Sequence, residues 1–228
     1  MKLFNNLLLN FAEAGEETID TVKLITLVAI SLLILSLLFV SSRRRDFNTR
    51  SIVYAAICIA LSFALSFIKF TFPFGGSVTL ASFVPLLIYS YFYGPVKGLL
   101  AGIVYGLLQF VQDSWFLTPT QFLLDYILAF SSIALAGVFK NVLKGKFAPV
   151  VTGVVTVGIV RLIMHILAGI IFFNAGYVYP DLPQSSALLY STVYNVLYVV
   201  PDILISLITI IVMIKGDYFS KIADKIKQ

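Results

Sequence analysis

The chain has 228 residues, 60% hydrophobic and only 12% charged, with a mean hydropathy of +0.99. A soluble domain carries about 25% charged residues, so the composition excludes one and indicates an all-α integral membrane protein. The apolar runs are long and lack the period-two alternation of a barrel. The net charge is +5, and the single cysteine, Cys58, rules out an intrachain disulfide.

Seven apolar spans are expected, at 22–41, 51–70, 78–93, 98–112, 120–139, 148–173 and 186–214. Each approaches the roughly 20 residues a bilayer requires. The third and fourth are short enough to be tilted, broken or shielded by protein. Ahead of the first, Leu3, Phe4, Leu7, Leu8 and Phe11 recur at helical spacing opposite Asn5, Asn6 and Asn10. They suggest a helix lying on the outer membrane surface, with a disordered tail as the alternative. The segment 22–40 follows a long acidic lead and precedes no small-x-small cleavage site, so it reads as a retained helix rather than a signal peptide. Turn signals separate the later spans: FPFGGS (72–77), YGPVKG (93–98), SWFLTPTQ (114–121), KNVLKGKFAP (140–149) and NAGYVYPDLPQSS (174–186).

The basic residues orient this arrangement. Arg43, Arg44, Arg45, Arg50, Lys97, Lys140, Lys144, Lys146, Lys215, Lys221, Lys225 and Lys227 all fall on one side. Glu13, Glu16, Glu17, Asp20, Asp113 and Asp181 fall on the other. The positive-inside rule then places the N-terminus outside and the C-terminus in the cytoplasm.

Polar residues within the spans concentrate toward the outer side. The stretch FLLDYILAF (122–130) carries Asp125 inside an apolar run. An isolated charge there costs several kcal/mol, roughly 3 or more, unless a partner or a wet cavity receives it. The expected compensating partner is a bound cation. His165, Gly169 and Phe173 are four residues apart and share a helix face, with a hollow expected at the glycine. Asn195, Tyr198 and Asp202 form a second such face, and Phe74, Gly75, Gly76, Ser77, Trp115, Gln121, Tyr126, Tyr190 and Tyr194 lie at the same level. An interfacial aromatic belt would account for Trp115, Tyr177 and Tyr179, but not for Asp125, His165 or Asn195. Deeper in the membrane, Arg161 and Asp202 lie at matching depth and are expected to form a structural ion pair, with Arg161 also fixing His165. Gly98, Gly102 and Gly106 predict close helix approach, and Ala56, Ala60 and Ala64 form a similar small-residue stripe.

Several classes are excluded by what is missing. There is no GxxxxGK[ST] for ATP hydrolysis, and the absence of HExxH together with a lone histidine argues against a zinc protease. No cofactor, metal site or nucleic-acid surface is indicated, and an enzyme using His165 as base ranks last. The pocket points to binding or carriage. An autonomous secondary transporter of an organic cation is the alternative, with Asp202 as its only further deep acid.

The stretches GGSVTLASFVPLLI (75–88), GLLAGIVYGLLQFV (98–111), PTQFLLDYILAFSSIALAGVF (119–139), RLIMHILAGIIFF (161–173) and YSTVYNVLYVVPD (190–202) resemble, in order, the thiamine-specific S component of energy-coupling factor (ECF) vitamin transporters. The resemblance covers about 51–214. It implies a six-helix S-component core over 49–228 and an N-terminal extension over 1–48 that carries the additional helix. It also implies a prokaryotic cell-membrane location, thiamine as ligand, and partnership with a transmembrane T component and two cytoplasmic ATPases. The acid-Tyr-Ile-Leu-Ala-Phe motif falls on Asp125 and Tyr126; His-x-x-x-Gly-x-x-x-aromatic gives His165, Gly169 and Phe173; Tyr-x-x-x-x-Asn gives Tyr190 and Asn195. Trp115 matches a loop aromatic, and Ala56, Ala60 and Ala64 match the docking face for the T component. Some members have glutamate in place of Asp125, or tryptophan in place of Phe173, which bears on affinity and stacking more than on ligand class. On this resemblance Asp125 neutralises the thiazolium, Tyr126, Trp115, Phe173 and Tyr190 surround the two rings, and Asn195 with Asp125 serves the aminopyrimidine.

Overall fold

A computed structural model of the chain describes residues 48–73, 76–115, 118–174 and 187–227. The expected span 22–41 and the amphipathic stretch 3–11 lie outside the described residues. Along the chain come α1 (Thr49–Ser66), a hairpin of β1 (Lys69–Thr71) and β2 (Ser77–Thr79), α2 (Val84–Tyr93) and α3 (Pro95–Gln112). They are followed by α4 (Pro119–Asn141), α5 (Ala148–Asn174), α6 (Ala187–Lys215) and α7 (Tyr218–Lys227). Among the described residues five helices, α1, α3, α4, α5 and α6, are long and apolar enough to cross a membrane, and α2 is a shorter apolar helix. The all-α membrane expectation therefore holds for this region.

Two boundaries differ from the expectation. The span 51–70 stops as helix at Ser66, and 78–93 is helical only from Val84. Between them Lys69, Phe70 and Thr71 pair antiparallel with Thr79, Val78 and Ser77. Phe72 and Gly76 bracket this reversal, the Phe72 amide donating to the Gly76 carbonyl at 2.7 Å. The strands are three residues long, too short to register as alternation within an apolar run. Gly94, with φ of 93°, ends α2, and Pro95 opens α3 immediately after it.

The glycine stripe packs as expected. A Cβ at Gly102 or Gly106 would collide with the carbonyl oxygens of Phe130 and Tyr126, so α3 lies backbone to backbone on α4. Helix α4 is itself irregular. It starts at Thr118, whose hydroxyl caps Gln121 N at 3.2 Å. It widens to a π turn over Leu123–Leu128 and tightens to 3₁₀ geometry over Ser132–Gly137. Ser131 and Ser132 back-bond to the carbonyls of Ile127 and Ala129 at 2.5 and 2.6 Å at this transition. The π turn contains Asp125 and Tyr126.

The short amphipathic helix α7 has no counterpart among the expected spans. Phe219, its buried residue, packs on Tyr91 and Phe92, with ring centroids 5.3 and 4.9 Å apart.

Candidate ligand-binding site

The π turn of α4, the hairpin, and the facing stretches of α3, α5 and α6 enclose a cleft of about 850 Å³, counting its open mouth. One wall is aromatic. Phe83 stacks on Phe130 at 5.6 Å, and the Tyr105 ring meets Phe130 edge-on at 5.2 Å.

The Arg161–Asp202 pair closes the base of the cleft. Arg161 Nη1 donates to Asp202 Oδ2 at 2.5 Å, and its guanidinium lies 4.2 Å from the Phe83 ring centre. The other Asp202 oxygen accepts from the Thr79 amide at 2.8 Å and the Thr79 hydroxyl at 2.7 Å. The aspartate is fully buried, so it both neutralises an arginine and ties the hairpin to α6. It follows Pro201, whose ring leaves a gap in the hydrogen bonding of α6.

Above this pair, His165 Nδ1 and Asp125 Oδ1 share a hydrogen bond of 2.7 Å. The histidine across the cleft is thus a protein partner of Asp125 alongside the bound cation expected for it. Gln121 Nε2 reaches the other carboxylate oxygen at 3.5 Å. The Asp125 side chain keeps 21% of its surface exposed, and the carboxylate lines the cleft. His165 Nε2 and Arg161 Nε are buried in its wall with no hydrogen-bond partner among the described residues. Arg161 is not hydrogen-bonded to His165, contrary to expectation; Asp125 orients the ring instead.

Of the eight residues expected at the site, seven line one cleft: Trp115, Asp125, Tyr126, His165, Gly169, Phe173 and Asn195. Tyr190 does not. It is 44% exposed, with its ring 6.4 Å from Phe173. One turn further along α6, Tyr194 faces the cleft, 6.2 Å from Phe173 and 5.4 Å from Tyr198. The hollow expected at Gly169 is occupied: a Cβ there would collide with the Ser191 hydroxyl and approach Asn195. The glycine brings α6 close to α5. Asn195 is largely committed as well. Its amide nitrogen donates to the His165 and Ser191 carbonyls at 3.1 and 2.8 Å, and its oxygen accepts from Tyr198 at 2.5 Å. One lone pair of that oxygen remains for a ligand.

Two tyrosines hold the mouth. Tyr126 donates to the Asp113 carbonyl at 2.6 Å and accepts from the Trp115 amide at 2.9 Å, positioning the sole tryptophan. Tyr194 accepts from the Gly76 amide at 2.8 Å and donates to the Pro73 carbonyl. Lys69 pairs with Asp113 across the mouth, and partial burial pushes its ammonium below the ordinary lysine pKa. Gln109, Asp113, Phe83 and Phe172 also line the cleft. Gln109 is legible in the sequence: it lies three residues beyond Gly106 and seven beyond Gly102, on the helix face that the glycines mark.

Residues 52–219 match the family described as thiamine transporter protein (Thia_YuaJ). The thiamine transporter ThiT of Bacillus subtilis (strain 168) is 32% identical over 149 residues, covering 60% of this chain and 74% of that protein. ThiT of Lacticaseibacillus paracasei is 25% identical over 168 residues, 65% of this chain and 84% of its own length. A solved structure of ThiT from Listeria monocytogenes superposes with a TM-score of 0.61 at 29% identity, covering 74% of this chain and 96% of that one. The solved S component of a bacterial ECF transporter gives 0.51 at 22% identity, over 75% and 98%. It supports a shared fold.

Proposed function

This chain belongs to the thiamine transporter protein family, and from that premise we propose that it is the thiamine-binding S component of an ECF-type uptake system. It is not an enzyme. The observation that carries the proposal is the cleft itself: a carboxylate with no lysine or arginine partner, Asp125, set on a π turn among aromatic rings. The other nearby acids are paired, Asp202 with Arg161 and Asp113 with Lys69. Asp125 is held by His165 and Gln121 and remains accessible to neutralise a ligand.

Thiamine carries a thiazolium whose positive charge no pH removes. Set against Asp125 in a partly desolvated cleft, that charge gains a strong partner. Aromatic faces of Trp115, Phe172, Phe173 and Tyr194 add about 0.5–2 kcal/mol for each well-placed contact. The unpartnered His165 Nε2 offers a hydrogen bond to the ligand, and Gln109, Gln121 and the Asn195 oxygen serve the aminopyrimidine. The secondary-transporter reading needs a deep acid free for a coupling ion, and Asp202 is already bonded through both oxygens.

The cleft faces outward, following the charge asymmetry of the loops. The T component docks on α1, where Ala56, Ala60 and Ala64 form an exposed stripe of small residues. Two cytoplasmic ATPases supply the energy.

Trp115 is the only tryptophan and is half exposed at the mouth. Thiamine added to the purified chain is expected to change its fluorescence saturably, with a matching calorimetric isotherm. No saturable fluorescence change and no binding heat would overturn the assignment. A second expectation concerns the hairpin. Tyr194→Phe removes the bonds to both Pro73 and Gly76, so thiamine should dissociate faster, with affinity reduced about fivefold, or ~1 kcal/mol. Stopped-flow release of thiamine reads this directly; an unchanged release rate would show that the bonds do not hold the ligand.

A further inference from the structure

A second cavity lies at the other end of α1, away from the cleft and beneath α7. It measures about 430 Å³ counting its mouth. Helix α1 contributes Tyr54 and Cys58, α2 contributes Ile88 and Tyr93, and α7 contributes Ile222 and Ile226. The wall is almost wholly apolar, and no carboxylate lies among its lining residues. One polar atom is stranded: the Tyr93 hydroxyl is buried with no hydrogen-bond partner among the described residues.

Three cations border the cavity. Lys225 lines the cavity and is exposed. Lys97 Nζ lies 5.6 Å from the Tyr93 ring centre. Arg50 is exposed at the start of α1, one turn before the cavity-lining Tyr54. An apolar slot bordered by basic side chains matches an amphiphile with an acidic head. The covering helix suits the same setting: Phe219, Ile222 and Ile226 turn inward while Lys221 and Lys225 stay exposed, the pattern of a helix lying in the membrane interface. Basic pockets between membrane helices bind anionic headgroups.

From this juxtaposition we infer that the cavity binds one anionic phospholipid. An acyl chain enters between α1, α2 and α7. The phosphate is held among Arg50, Lys97 and Lys225 and accepts a hydrogen bond from the Tyr93 hydroxyl. The inference is independent of what occupies the cleft.

The full chain, purified in detergent with equimolar phosphatidylglycerol and phosphatidylcholine, tests it by native mass spectrometry. One phosphatidylglycerol per chain should be retained, with at least tenfold preference over phosphatidylcholine. Combining Arg50→Gln with Lys225→Gln should bring the preference close to one. Ile226→Trp should fill the slot and remove retention of both lipids. Cys58, the only thiol, gives a second readout that needs no variant: phosphatidylglycerol should slow its reaction with a maleimide at least threefold, and phosphatidylcholine should not. Equal retention of the two lipids overturns the inference, as does thiol reactivity indifferent to phosphatidylglycerol.

Discussion

Replacing Asp202 by asparagine is expected to destabilise the fold by about 3 kcal/mol, the scale for breaking a buried ion pair from one side. The substitution is nearly isosteric. Its oxygen can still accept from the Thr79 amide and hydroxyl, which meet Oδ1 at 2.8 and 2.7 Å. The loss falls at the other oxygen, where an amide NH₂ would replace the acceptor that Arg161 Nη1 reaches at 2.5 Å. Donor would face donor, and a guanidinium only 5% exposed would have lost its anion. Its position over Phe83 offsets a small part, about 1 kcal/mol. Unfolding by titrated SDS in mild detergent, followed by Trp115 fluorescence, measures the effect. Combining Asp202→Asn with Arg161→Met should recover most of the stability, because it removes the unpaired charge. An unchanged midpoint for the single variant would show that the pair holds nothing together. Arg161 also lines the cleft, so its unpaired charge should repel a cationic ligand and lower affinity along with stability.

That pair is readable from the sequence because depth in a membrane helix follows from residue count. Arg161 and Asp202 lie at matching depths in their spans, and two opposite charges in hydrocarbon have few options besides each other. The Gly98, Gly102 and Gly106 stripe is legible for a similar reason: in a bilayer, small residues at intervals of four signal backbone approach. What they approach is not legible. The carbonyls of Tyr126 and Phe130 lie against these glycines in a helix that changes from π to 3₁₀ geometry, and that backbone choice arises from packing and serine back-bonds rather than from any periodicity in FLLDYILAF. Asp125 and His165 each stand out as polar residues in apolar runs, but their mutual bond spans 40 residues and two helices, and spacing along one helix cannot reveal it. Tyr190 and Tyr194 illustrate the limit at single-turn scale. Both lie on the same stretch of α6, and which tyrosine meets the cleft depends on how Gly169 draws that helix toward α5. Helix α7 is written in the spacing of Phe219, Ile222 and Ile226, yet it escapes a search for apolar spans because its lysines dilute its hydrophobicity.

Asp125→Asn is expected to weaken thiamine binding more than tenfold, or at least ~1.4 kcal/mol. The amide keeps the size of the carboxylate and can still accept from His165 and donate to a neighbour, so the cleft should retain its shape. What disappears is the charge. Two unit charges about 4 Å apart at an effective dielectric near 20 attract by roughly 4 kcal/mol, and desolvation of both groups cancels part of that. The thiazolium cannot shed its charge, so it has no means of adapting to a neutral site. Asp202 cannot substitute, being buried and bonded to Arg161, and Asp113 lies at the mouth paired with Lys69. Calorimetry on the parent chain and the variant gives the loss. Its electrostatic origin is isolated with an uncharged thiamine isostere in which a thiophene replaces the thiazolium. The parent chain should favour thiamine over the isostere by more than tenfold, and Asp125→Asn should discriminate far less. The coupling between the two changes then measures the charge–charge contact itself. Equal affinity of the variant and the parent for thiamine would remove Asp125 from the ligand's contacts, and the cleft would need another reason to hold a carboxylate inside a membrane helix.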